Sequence, residues 1–97
     1  MLIKAGVDIS RLNREIRRAL PKIQKVLDFY NEELIITSTF EGTHGDGSLH
    51  YGNDAVDMRM TRVESNFIKG AISQELGPDF DVVLEGDHIH VEYDPKR

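Results

Sequence analysis

From Leu12 to Tyr30 apolar residues return every three or four positions, and this stripe constrains the fold more than any other feature. Leu12, Ile16, Ala19, Leu20, Ile23, Val26, Leu27 and Tyr30 share one side of an α-helix over residues 12–30. A face of that width has to be covered by other apolar surface, so its role is core packing rather than chemistry. Pro21 sits inside the pattern, which predicts either a kink there or two short helices. Asp8 and Ser10 are the candidate caps.

The rest of the chain changes period. Residues 33–39 (ELIITST) are rich in β-branched side chains and read as a strand. A glycine- and histidine-containing loop follows over 41–49, and Ala55 to Met60 alternates apolar and polar side chains, as a half-buried strand does. Thr61-Arg-Val-Glu64 has the form of a capping box and predicts a second helix ending near Leu76, where Gly77-Pro78-Asp79 turns the chain. Asp81–Leu84 and Ile89–Tyr93 are two strands joined by Glu85-Gly86-Asp87, a hairpin. This order predicts an α+β fold: a small antiparallel sheet with two helices packed on one face, in one domain spanning residues 1–97.

Composition narrows the chemistry. The chain has no cysteine, so disulfides and thiolate metal sites are excluded, and any zinc must be held by nitrogen and oxygen. In so short a chain, a bound metal adds stability that a small core does not supply alone. No apolar run reaches the about 20 residues of a membrane span, and no apolar leader is recognisable. The expectation is a soluble protein that does not engage membranes. The net charge of −5 is unevenly spread: residues 1–30 carry seven Lys/Arg against three Asp/Glu, the remainder five against fourteen. The basic helix reads as a solvated face, and the acidic remainder argues against nucleic acid as a partner and suits a divalent cation.

All four histidines, His44, His50, His88 and His90, lie beyond residue 43 with carboxylates close by. His50 and Asp57 flank a turn-forming Gly52-Asn53, so both side chains can face one point, and both are ordinary zinc ligands at roughly 2.0–2.2 Å. His88 and His90 are two apart on a strand and so share a face, with Ile89 and Val91 supplying the opposite, core-facing side. His50, Asp57 and a histidine of that pair leave a fourth position open to water, which separates catalytic from structural zinc. Glu85 and Asp87, in the turn just before the histidines, are the candidate general bases. His44 is a loop histidine and a candidate substrate contact, and Arg59 either pairs with a carboxylate or anchors one on the substrate.

Ser48-Leu-His50-Tyr-Gly-Asn-Asp-Ala55-Val-Asp57 resembles the S-x-H-x-x-G-x-A-x-D signature of the LAS-type zinc peptidases, a group of D-alanyl-D-alanine carboxypeptidases, dipeptidases and phage endolysin endopeptidases that share a fold with Hedgehog domains. His88-Ile-His90 resembles the second signature, H-x-H, and the likeness covers roughly residues 33–93. The resemblance implies zinc (Zn2+) on His50, Asp57 and His90, with His88 stabilising the developing oxyanion or steering a proton. It implies that Ser48 orients a ligand by hydrogen bonding. It also implies an acid three before the ligand, Asp87 for His90 or Glu85 for His88. Asn53 stands where the signature has glycine, and asparagine tolerates the left-handed backbone a turn there needs. Phe40-Glu41 stands where many members carry an arginine or glutamine that holds the substrate.

The implied activity is zinc-dependent hydrolysis of a peptide bond in bacterial cell-wall peptidoglycan, acting on the stem peptide. The expected setting is a monomer, phage- or prophage-encoded or bacterial, reaching the wall after release. The alternative is a non-catalytic, zinc-ordered binding or virion module of the same fold.

Overall fold

The computed structural model describes residues 1–40 and 52–95. Strand β1 (Leu2–Ile3) is followed by helix α1 (Arg14–Phe29), strands β2 (Ile35–Ser38) and β3 (Ala55–Arg59), helix α2 (Ser65–Leu76), and strands β4 (Phe80–Leu84) and β5 (His88–Tyr93). The five strands form one sheet in the order β1-β2-β3-β5-β4. β1 pairs parallel with β2 and every other pairing is antiparallel. The α+β class expected from the change of period is therefore the observed one.

The core lies between the helices and one face of the sheet. Ile16, Ile23 and Leu27 of α1 and Ile68 and Ile72 of α2 meet Ile36, Val56, Met58, Ile89 and Val91 in one cluster, all fully buried. Each such side chain contributes about 1.5–3 kcal/mol by leaving water. Because strand side chains alternate, filling this layer sends Asp57 of β3, and His88, His90 and Glu92 of β5, to the opposite face. No helix among the described residues is long and apolar enough to cross a membrane.

Pro21 neither splits nor shortens the first helix: α1 runs unbroken from Arg14 to Phe29 with Pro21 exposed. Its buried stripe continues on both sides, and packing of Ala19, Leu20 and Ile23 outweighs the lost backbone hydrogen bond. Neither expected cap is used. Asp8 Oδ1 instead accepts from the Ser10 amide at 2.8 Å, closing a local turn, and the N-cap is Asn13. The Asn13 side-chain amide donates to Gly52 O at 3.1 Å and to Asp54 Oδ1 at 2.7 Å, so it ties the helix start to the entry of β3. Asp54 is half-buried at that link.

The capping box also does not form. α2 begins at Ser65, its N-cap is Glu64 at φ 56°, and no side chain caps it. Thr61 is buried elsewhere, because the next residue is claimed by a tertiary contact: buried Glu32 accepts from the Arg62 amide at 2.9 Å. The end at Leu76 is as expected, with Gly77 at φ 90°. Asn53 has φ 64°, the left-handed conformation expected of it in the turn before β3. The terminal hairpin is present, closed by the Glu85 amide donating to His88 O at 2.9 Å.

Candidate metal centre

Antiparallel pairing of β3 with β5 sets Asp57 directly opposite His90 and Arg59 opposite His88. Directly opposed side chains on one face have Cβ atoms about 4.5–5.5 Å apart, so the register alone brings the carboxylate to the imidazoles. Asp57 Oδ1 lies 2.9 Å from His90 Nδ1 and 3.6 Å from His88 Nε2. Each imidazole is held at its other nitrogen by a further carboxylate. His90 Nε2 is 2.6 Å from Glu92 Oε1, and His88 Nδ1 is 2.6 Å from Asp87 Oδ1. Both histidines therefore present one nitrogen to the same Asp57 oxygen while an outer acid fixes the ring.

The two sides differ in exposure. The Asp57 and His90 side chains are 12% and 14% exposed, His88 32%, and Asp87 93%. The hydrogen bond to Asp57 raises the His90 pKa above the ordinary imidazole value; burial opposes the rise and the bond to Glu92 adds to it. Asp87 is held below the ordinary carboxylate range by its hydrogen bond with His88 and by the charge of that ring. At the backbone, Thr37 Oγ1 donates to Asp57 O at 3.3 Å, and the β2–β3 register shifts between Ile36 and Ser38. Such a bulge re-aims the strand beside the site.

No family model, curated protein or solved structure matches the chain.

The donor set fits zinc on its chemistry: a carboxylate oxygen and imidazole nitrogens, with each ring held by an acid at the nitrogen that would face away from the ion. Ligand atoms at about 2.05 Å in a tetrahedron stand roughly 3.3 Å apart. The 2.9 and 3.6 Å separations bracket that value. Among the described residues, however, Asp57, His88 and His90 do not form a trio with all donor atoms within 4.8 Å of one another. The geometry pairs Asp57 with each histidine in turn, which accords with one ring acting as ligand and the other serving a different role. The group that does meet that spacing is Asp81, Glu92 and Asp94, on the same side of the sheet. An all-oxygen set suits a hard cation such as calcium better than zinc, and carboxylates alone do not identify a site.

His44, Ser48 and His50 lie outside the described residues. Arg59 is exposed at the end of β3 and has no salt bridge among the described residues. Glu85 is exposed in the hairpin turn, and Asp87 is engaged with His88. Tyr93 packs on Phe80, ring centroids 5.2 Å apart, on the core side and away from the site. Where an arginine or glutamine was expected, the Phe40 ring carries the Arg11 guanidinium at 4.7 Å. Sequence reasoning missed Glu92. Its signal was present: in His88-x-His90-x-Glu92 the period of two places all three side chains on one face.

Proposed function

We propose that the protein is a zinc-dependent hydrolase that cleaves a peptide bond in bacterial cell-wall peptidoglycan. The observation that carries this reading is the double clamp on Asp57: two imidazoles, each fixed at one nitrogen by its own acid, turn their other nitrogens toward one buried carboxylate oxygen. Asp57 and His90, with His50, would hold the ion, which when bound lowers the pKa of a coordinated water and polarises the scissile carbonyl. Glu92 fixes the ring and tautomer of His90. His88, the more exposed of the two rings and 3.6 Å from Asp57, would stabilise the developing oxyanion or steer the proton, with Asp87 orienting its ring. Asp87, hydrogen-bonded to His88 and low in pKa, is then a positioning residue, which leaves Glu85 the freer of the two acids for the role of base.

The test is metal analysis with digestion of purified peptidoglycan, comparing the wild-type chain with Asp57→Ala, His50→Ala, Glu85→Ala and Asp87→Ala. About one zinc per chain, lost in the first two variants, together with new amino groups from the stem peptide, is the expected result. A chain that binds no zinc refutes the proposal. Zinc without released fragments from any wall type assigns the chain to the non-catalytic module, and full activity in both acid variants removes the base assignment.

A further inference from the structure

The exposed side of α1 carries Arg14, Arg17, Arg18 and Lys22, all exposed. Arg14, Arg18 and Lys22 fall at four-residue steps, about 6 Å apart along the helix axis, with Arg17 beside them. Arg14, Arg17, Arg18 and Pro21 line an open concavity of about 410 Å³. Among the described residues Arg14 forms an ion pair with its neighbour Glu15, at 3.4 Å. Arg17, Arg18 and Lys22 form no salt bridge among the described residues, whereas Lys25, one turn further, is paired with Glu75 of α2 at 3.3 Å.

This arrangement works against the helix that bears it. Like charges four apart repel, and cations near the start of a helix oppose its dipole. The last turn, where cations would be favourable, has none. Among the described residues the Arg14–Glu15 contact is the one ion pair that offsets this repulsion, and a local rule so broken points to a compensating partner outside the chain. That partner must be a polyanion with charges repeating at about the helical step.

We infer that this face of α1 docks a flexible phosphodiester polymer that has no bases, the chemistry of a polyol-phosphate cell-wall polymer. The choice of a wall polymer rests on the peptidoglycan reading above. Three observations favour it over other polyanions. No aromatic side chain lies within the stripe to stack a base, which single-stranded nucleic acid would use. The remainder of the chain, five Lys/Arg against fourteen Asp/Glu, repels any long duplex that reaches past the helix. The buried apolar stripe of α1 faces the core, and the exposed Phe29 lies seven residues past Lys22 at the far end of the helix, so the basic stripe itself carries no wedge for a lipid surface. Meanwhile Asp57 and Glu92 lie on the far side of the sheet, which keeps the polymer away from the cation site.

The test is binding of the full chain to labelled poly(glycerol phosphate) by fluorescence anisotropy. Four contacts predict a slope near −2.8 in log affinity against log salt, about a 50-fold loss between 50 and 200 mM. Arg14→Gln/Arg17→Gln/Arg18→Gln/Lys22→Gln should abolish binding with unchanged circular dichroism, while Lys4→Gln/Lys69→Gln should retain it. Should the fourfold variant misfold, Arg18→Gln and Lys22→Gln singly should each flatten the slope by about 0.7. Wild-type binding by the folded fourfold variant, or unchanged slopes in the single ones, overturns the inference. So does tighter binding, at equal phosphate, to a single-stranded oligonucleotide or to phosphatidylglycerol vesicles. Asp57→Ala should bind the polymer as wild type does, so a failure of the zinc reading and a failure of this one are separately visible.

Discussion

Replacing Glu92 tests the proposed metal centre at the residue the sequence did not single out. Its carboxylate lies 2.6 Å from His90 Nε2 and is 22% exposed, so solvent screens the bond only in part. If His90 binds zinc through Nδ1, the Glu92 bond fixes the ring and increases the basicity of the ligating nitrogen. Removing such an outer partner costs about 10–100-fold in metal affinity, or about 1.4–2.8 kcal/mol. Glu92→Gln keeps an acceptor but loses the charge and should fall near the 10-fold end, with Glu92→Ala near the 100-fold end. A proton competes with the metal for His90, and Glu92 raises that ring's pKa. Loss of Glu92 therefore relieves competition at acid pH, and the deficit should be larger at pH 8 than near pH 6. Competition titration against a chromophoric zinc chelator measures both. Wild-type affinity in both variants at pH 8, alongside loss of binding in Asp57→Ala, would refute the assignment of Glu92.

The same pair sets the pH dependence of the metal-free chain. His90 has a raised pKa, so its stabilising contact with Asp57 is fully present below the unfolded imidazole value of about 6.5 and is lost as pH rises through the higher folded value. Thermal melts across pH 5–9 should show that loss, and His90→Gln should flatten the curve in this range. Pro21→Ala should stabilise the chain by about 1–3 kcal/mol, because it restores a backbone donor inside a continuous helix at an exposed position. Urea unfolding checks this, and an unchanged midpoint would mean that α1 is distorted at Pro21.

The local patterns read well where side chains of one period filled one layer. The stripe of α1, the hairpin and the alternation of β5 all follow from burying Ile16, Ile23, Ile89 and Val91, and that burial orients His88 and His90. Reading failed where a distant partner outcompeted a local motif. Thr61-x-x-Glu64 has the letters of a capping box, yet Glu32, remote in sequence, takes the Arg62 amide and shifts the helix start to Ser65. The caps expected at Asp8 and Ser10 likewise gave way to Asn13, whose side-chain amide donates to Gly52 O and Asp54 Oδ1 across the fold. β1 is only two residues long and pairs with β2 through α1, too little pattern to detect beforehand.

At the candidate site the division is similar. The residue types, the absence of thiolates and the shared face of His88 and His90 were properties of the amino-acid order alone, because strand alternation is local. Asp57 facing those histidines was a matter of register, which β3 and β5 settle only by pairing across thirty-three positions. The same pairing exposes the outer clamps: Asp87 on His88, and Glu92 on His90. A hydrogen bond depends on distance and angle in space. The sequence names the groups able to form one, and tertiary packing selects which of them meet.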